Sequence, residues 1–344
     1  MSVLRVGIIG LGMAVAPHAE ALLALSGRIE VVAAFSPTAS RRQEFADRYG
    51  LPVVDSLQAI LSDASIDAVL ILTPPSSHLE LVEQTARAGK HILLEKPLDI
   101  STERAEAVIA AARHAGVKLG IVFQNRFRPA SLALAELLSQ GRLGDLISAS
   151  ARRDNWRTQS YYDEPGRGTL QRDGGGVLMN QAIHTLDLLL SFAGTPLEVT
   201  GYARTSPIHT METEDLAACV LRFANGAIGT ISATTCAYPG LPERIELIGT
   251  MGTAVLIGPH LSAQFQDGTS LTVGDPDTGR HADAQIMGFG HQLHEALLSD
   301  FAEAIAQDRS PRITGEMALR AHDLIDAILL SSREGRAVTV RDRA

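Results

Sequence analysis

"VLRVGIIGLGMAV", residues 3–15, is the stretch whose reading decides the fold. An apolar run ends at Gly10, a second glycine follows at Gly12, and the residues beyond have helical composition. A strand that turns on glycines into a helix lets the backbone approach a pyrophosphate, whose charge the helix N-terminus then meets. The third position of the pattern is Val15 rather than Gly or Ala, which weakens the helix-to-strand packing part of the motif. Taken alone, the same residues also describe an ordinary strand–turn–helix bend, so the flanking pattern has to decide.

Outward from this turn, short apolar runs alternate with helical patterns up to about residue 122: "EVVAAFS", "AVLILTP", "HILLEKP" and "KLGIVFQ" are each separated by a helical stretch. Strand and helix at this spacing imply parallel strands with helical crossovers, a doubly wound sheet whose ligands sit at the carboxyl ends of the strands. Gly10, Thr73, Lys96 and Gln124 fall at those ends. Beyond them the pattern changes to longer β-like runs joined by turns such as "NG" at 225–226, the mark of a mostly antiparallel sheet. The expectation is an α/β chain: a dinucleotide-binding domain over 1–122 and an α+β domain for substrate binding over 123–344, closed by helices near 289–307 and 314–333.

A chain of 344 residues suits two such domains, and 45% hydrophobic with 20% charged residues is an ordinary folded composition. A formal charge of −9 without a Lys/Arg stripe argues against nucleic acid as a partner. Two cysteines, Cys219 and Cys236, make neither a disulfide framework nor a cysteine-based metal site, which points to a cytoplasmic location. The N-terminus lacks the pattern of a signal peptide, and no apolar run is long enough to span a membrane.

At the end of the second strand "AAFSPTASRRQ" offers Ser36 where an acidic residue would bond both ribose hydroxyls. A serine followed by Arg41 and Arg42 accepts a 2′-phosphate, so NADP(H) is favoured, with NAD(H) possible. In "ILLEKPLD", residues 92–99, Lys96 is either a strand-end residue reaching for water or a group whose proton matters. In "DGGGVLMNQAIHTLDLLLSFAG", residues 173–194, Asp173 is a candidate helix N-cap. Asn180, His184 and Asp187 share one helical face, with Gln181 beside His184. Such a face is either solvated or a cavity lining, and Asp187, the only charge between Gly174 and Phe192, favours a lining for a polar ligand. His184 and Asp187 lack further ligands nearby in sequence, so no metal is expected.

The glycine turn, "TPPSSH" at 73–78, "GKHILLEKP" at 89–97 and "DGGGVLMNQAIHTLDLL" at 173–190 together resemble the Gfo/Idh/MocA oxidoreductases, in order and spacing across nearly the whole chain. The resemblance implies an N-terminal Rossmann domain and a C-terminal α+β domain with an open, largely antiparallel sheet used for oligomerisation, as a homodimer or homotetramer. It implies that Lys96 and His184 are catalytic or substrate-orienting. It places Gly10, Gly12, Met13, Thr73, Pro74, His78, Glu95 and Lys96 at the cofactor, with His18 nearby. Asn180 stands where many cyclitol-oxidising members have Asp, which puts an Asp–His relay in doubt; Asn-Gln here is similar to the branch acting on sugars or nucleotide sugars. Gln124, Arg126, Trp156, Arg157, Asn180, Gln181 and His184 are the expected substrate contacts, with Tyr161 or Tyr162 as further candidates. His291 and His294 are expected to be ordinary surface or core residues.

The activity these readings support is interconversion of a hydroxyl and a carbonyl on a sugar, sugar derivative or cyclitol. Hydride transfer needs a base for the hydroxyl proton, and a partly dehydrated lysine beside a cationic nicotinamide would have its pKa lowered toward that task. The competing expectations are a cofactor-assisted glycosidase or lyase with no net redox change, and a dinucleotide-sensing binding protein.

Overall fold

The structure is a computed structural model that describes residues 3–275 and 290–343. The N-terminal sheet contains β1 (Leu4–Ile9), β2 (Ile29–Phe35), β3 (Val53–Val54), β4 (Ala68–Ile71), β5 (His91–Leu94) and β6 (Leu119–Ile121). Its strand order is β3-β2-β1-β4-β5-β6, and every pairing is parallel. The crossovers carry α1 (Val15–Ala24), α2 (Ala39–Tyr49), α3 (Leu57–Leu61), α4 (His78–Arg87) and α5 (Thr102–His114). Helices on both faces leave the central strands no wet side, which is why β4 reads Ala-Val-Leu-Ile and is buried throughout. The order reverses between β1 and β4, so their connections leave in opposite directions and open a crevice at the carboxyl ends.

The second sheet contains β7 (Leu146–Asp154), β8 (Glu198–Arg204), β9 (Leu216–Arg222), β10 (Ile228–Thr234), β11 (Arg244–Gly249), β12 (Gly252–Ile257), β13 (His260–Phe265), β14 (Ser270–Val273) and β15 (Val338–Thr339). Its order is β14-β13-β12-β11-β7-β10-β9-β8-β15; β10 and β7 pair parallel and the other neighbours antiparallel. Residues alternate strictly in β9, where Ala217, Cys219 and Leu221 are buried and Ala218, Val220 and Arg222 are exposed. Such alternation belongs to a sheet covered on one face. The cover includes α6 (Pro129–Ser139) and α10 (Ile183–Ala193); between them run the one-turn helices α7 (Gln159–Tyr162), α8 (Leu170–Asp173) and α9 (Val177–Asn180).

The chain then returns to the first unit. α11 (Gln292–Ala306) packs on α1, and Ile121 N–H donates to Ile313 O at 3.1 Å beside a Gly120–Thr314 bridge. The first unit therefore comprises the chain through Gln124 plus the late segment ending at Leu319, and the second unit begins at Asn125 and resumes at Arg320 within α12 (Gly315–Glu334). A single division at 122/123 assigns that late segment to the other side, because no local pattern reveals that residues 313 and 314 extend the edge at β6. The two cysteines are free thiols, and among the described residues no helix is long and apolar enough to cross a membrane.

Gly10 has φ +103°, and a Cβ there would lie 2.7 Å from the carbonyl carbon of Leu72, whereas a Cβ on Gly12 would meet nothing within 4 Å. Gly10→Ala is therefore expected to lower stability by about 1–3 kcal/mol, and Gly12→Ala to be nearly neutral in stability while weakening dinucleotide binding. Urea unfolding of both variants, with a fluorescence titration of the cofactor, separates the two; equal midpoints would remove the distinction.

Candidate functional site

In the first unit, three carboxyl ends of adjacent strands gather the candidate residues. Gly10 follows β1, Thr73 follows β4 and Lys96 follows β5, and these strands are neighbours in the sheet. The N-terminus of α1 has no side-chain cap, although Val15 N–H turns back to Gly12 O at 3.2 Å, and the positive end of a helix suits an anion. Open space before Gly12, an exposed Met13 and an exposed Pro74 complete a cradle that fits a dinucleotide. Val15 is buried in the first turn of the helix, filling the place where a third small residue was expected.

Lys96 is half-buried, and its backbone N–H donates to Glu95 Oε2 at 3.0 Å. The other Glu95 oxygen lies 2.9 Å from Nε2 of the fully buried His18. Burial pushes the Glu95 carboxyl up, but the hydrogen bond from His18 and the charges of His18 and Lys96 outweigh it, and the group stays below its usual range. Glu95 is therefore committed to holding the Lys96 backbone. His294 of α11 stacks edge-on against His18, with ring centroids 4.6 Å apart, and burial lowers its pKa to about 3. It is an ordinary core residue in exposure, yet it walls the Glu95–His18 pair, a contact invisible to local sequence.

His78 is wholly buried, with Nε2 2.9 Å from Thr73 O and Nδ1 3.0 Å from Pro97 O. Burial lowers its pKa against the pull of the facing carbonyls, and the ring braces the loop after β4 against the loop carrying Lys96. At the end of β2, Ser36 is buried and Arg42 Nη1 donates to Ser36 O at 2.6 Å, while Arg41 is exposed in the first turn of α2. Gln124, after β6, is buried, and its Oε1 has no hydrogen-bond partner among the described residues.

The second unit arranges its candidates differently from the expected continuous helix. The run after the glycines breaks at Gln181–Ala182 into α9 and α10, so Asn180 and His184 sit on different helices. Asn180 Nδ2 donates to Gly175 O at 2.6 Å and to Gly176 O at 3.1 Å. The side chain thus latches its own glycine turn, and an amide is needed because a carboxylate has no proton to give a carbonyl. Asp173 is not an N-cap: it ends α8, and its Oδ2 accepts the N–H of Gly168 at 2.8 Å. Its expected place is taken by Glu214, whose carboxylate accepts from Gly176 at 3.2 Å and Leu178 at 3.0 Å. Burial pushes the Glu214 carboxyl up against the pull of those N–H groups.

Asp187 is paired rather than lining a cavity alone. Arg126 Nε and Nη2 reach its two oxygens at 2.7 and 2.6 Å, and both groups are shielded. A bidentate pair of this kind directs the Arg126 fork to Asp187, not to a ligand. Beside it, Glu243 is buried and accepts from Thr185 at 2.7 Å, from Asn125 at 3.2 Å and from Arg128, fixing the first turn of α10 that carries His184.

Gln181 Nε2 reaches Tyr161 Oη at 3.4 Å, and its buried Oε1 has no partner among the described residues. The Arg157 guanidinium lies 5.4 Å over the Tyr161 ring, with its Nε likewise buried and unpaired. Gln181, Arg157 and Tyr161 therefore gather in one place. Trp156 instead packs edge-on against Tyr238 at 5.6 Å, and Tyr162 bonds Thr235 Oγ1 at 2.9 Å in the interior.

Asn180→Asp is expected to cost about 1–3 kcal/mol, because it replaces two donated hydrogen bonds with a carboxylate facing carbonyls. An unchanged chemical-denaturation midpoint for this variant would show that the latch contributes nothing.

Comparison with known proteins follows the same two units. A family model described as "Oxidoreductase family, NAD-binding Rossmann fold" matches residues 4–123, and one described as the GFO/IDH/MocA C-terminal domain matches residues 131–255. The chain is 28% identical over 345 residues to the inositol 2-dehydrogenase of Rhizobium meliloti (strain 1021), covering 98% of this chain and 99% of that one. It is 32% identical over 274 residues to an uncharacterized oxidoreductase of Synechocystis sp., covering 75% and 72%. In three dimensions it is similar to the WlbA dehydrogenase from Bordetella pertussis in complex with NADH and UDP-GlcNAcA, with a TM-score of 0.87, 27% identity and coverage of 99% and 98%. Motif order, both domain matches and the three-dimensional likeness agree: the chain belongs to the Gfo/Idh/MocA family of oxidoreductases.

Proposed function

We propose that this protein interconverts a secondary hydroxyl and a carbonyl on a sugar, sugar derivative or cyclitol, using NADP(H) in preference to NAD(H). The observation that carries the reading is the alignment of Gly10, Thr73 and Lys96 at the carboxyl ends of three adjacent parallel strands. The relatives named as inositol dehydrogenases support the substrate class. The nicotinamide, when bound, accepts or gives the hydride.

The residues of the chain supply position and the proton. Gly10, Gly12, Met13 and the first turn of α1 would hold the pyrophosphate, and Thr73 and Pro74 the adjoining part of the cofactor. Lys96 Nζ takes the hydroxyl proton in oxidation and returns one in reduction, with Glu95 fixing its backbone through the 3.0 Å bond. His184 orients the reacting hydroxyl or shares the proton. Gln124, Gln181 and Arg157 offer buried polar atoms without partners among the described residues, suited to bonding a polyol. Asn180, Arg126 and Trp156 act through the framework: the first latches the glycine turn, the second pairs with Asp187, and the third packs on Tyr238.

For assembly, the uncovered face of the second sheet presents Tyr202 at 74%, Val220 at 54% and Ile228 at 59% exposure. Apolar residues on neighbouring strands of one face suit a homodimer or homotetramer. Free thiols fit a cytoplasmic enzyme.

Lys96→Ala should reduce turnover by about 10²–10⁴-fold while dinucleotide affinity stays within a few fold. Nicotinamide absorbance followed across a panel of cyclitols and sugars provides the measurement. Near-normal turnover would return Lys96 to a strand-end role, and product without net absorbance change would favour cofactor-assisted elimination or hydrolysis.

Cofactor choice has a separate test. Ser36 carries no charge to repel a 2′-phosphate, and the exposed Arg41 would supply a guanidinium to pair with one. NADPH should therefore bind more tightly than NADH, and Ser36→Asp should erase or reverse the preference; equal dissociation constants in the unmodified protein would overturn this part of the reading.

A further inference from the structure

A second cluster of reactive side chains lies wholly within the α+β unit, and none of its three members has been given a role above. His209 stands in the segment between β8 and β9, Asp215 immediately precedes β9, and Cys236 follows β10. Antiparallel pairing of β9 with β10 brings the beginning of one beside the end of the other, so residues distant in sequence converge. His209 Nδ1 lies 2.8 Å from Asp215 Oδ2, Cys236 Sγ lies 3.2 Å from the same oxygen, and Sγ to Nδ1 is 3.8 Å. His209 and Asp215 are buried and Cys236 is half-buried.

The spacing is that of a coordination polyhedron. Zinc bonds of about 2.0–2.1 Å to nitrogen and oxygen and about 2.3 Å to sulfur imply tetrahedral ligand–ligand edges of roughly 3.3–3.6 Å. None of the three observed edges departs from that by more than about half an ångström. The supporting bonds also have the required form. His209 Nε2 donates to Arg157 O at 2.9 Å, which spends that nitrogen on the backbone and directs Nδ1 toward Asp215 and Cys236. Asp215 is oriented by Ser206, whose N–H and hydroxyl reach its two oxygens, each at 2.7 Å. Tyr162 closes one side, with its ring 4.8 Å from that of His209, and the nearby Arg157 guanidinium is turned over Tyr161.

We propose that His209 Nδ1, Asp215 Oδ2 and Cys236 Sγ form a binding site for a divalent cation of the zinc class, with solvent completing four-coordination. One nitrogen, one carboxylate oxygen and one sulfur select a borderline-soft ion; magnesium and calcium prefer oxygen alone. The Sγ proton, and the proton held between Nδ1 and Asp215 Oδ2, leave to solvent as the cation enters, so the dication with one thiolate and one carboxylate carries no net charge. The cation ties the segment between β8 and β9 to the end of β10, so its effect is on the stability of this unit. The site requires nothing of the proposed hydride chemistry and stands or falls independently of it.

The test uses the full chain, freed of metal by a chelator and titrated with Co²⁺. The expected result is one Co²⁺ per chain with a thiolate-to-cobalt charge-transfer band and the visible absorption of a tetrahedral ion, both displaced by Zn²⁺, and a higher unfolding midpoint with Zn²⁺ present. Cys236→Ser should abolish the charge-transfer band, and His209→Gln should weaken binding by at least about tenfold. The remaining cysteine, Cys219, is a poor source of such a band, because burial pushes its thiol up to about 12. Absence of the band, its persistence in Cys236→Ser, or equal Co²⁺ affinity in Cys236→Ser and the unmodified chain would each overturn the proposal. The last result would also be given by binding at the other grouping of ligand atoms, His18, Glu95 and His294, which contains no sulfur.

Discussion

Right-handed crossovers impose one constraint from which the first unit follows. When helices α1 and α4 leave their strands toward opposite faces of a parallel sheet, the chain must part between β1 and β4. No side chain chooses that crevice; strand order creates it. Gly10 lies at its edge and meets the Leu72 backbone and the Thr73 side chain so closely that any Cβ would intrude. Lys96 follows β5, and the loops around it are braced by the buried His78 and His18.

Buried or half-buried carboxylates are the recurring device for that bracing. Glu95 ties the Lys96 backbone to His18, Glu214 receives the first N–H groups of α9, and Glu243 receives Thr185 in the first turn of α10. Each would be costly to bury without partners. Glu95 and Glu243 gain enough from hydrogen bonds and nearby positive charge to stay below the usual carboxylate range, whereas Glu214, with backbone N–H groups as its partners, is left above it by burial. The difference follows from the partners: a guanidinium or imidazole offsets desolvation better than a peptide dipole does.

The place in the fold of many candidate residues can be read without coordinates and little of their bonding can. The glycine turn, the strand-end position of Lys96 and the hairpin at 225–226 are local signals, set by φ preferences and periodicity within a few residues. The polar stripe over Asn180, His184 and Asp187 shows the opposite case. Its spacing is consistent with one helix, yet Asp187 meets Arg126 across 61 positions and Asn180 turns back on Gly175 and Gly176. A helical wheel has no way to represent either contact, or the break at Gln181–Ala182 that separates the stripe.

By itself, then, the sequence determined the element types, the alternation that makes the first sheet parallel, the change of pattern that begins a second sheet, and the family. These depend on interactions between near neighbours along the chain and on which faces must be dry. Only the tertiary structure decided that the late segment at 313 and 314 joins the edge at β6, that Glu214 rather than Asp173 serves α9, and that His209, Asp215 and Cys236 converge. Those outcomes depend on strand order and on pairings between residues far apart in the chain, where a polar side chain takes whichever buried partner the fold brings to it.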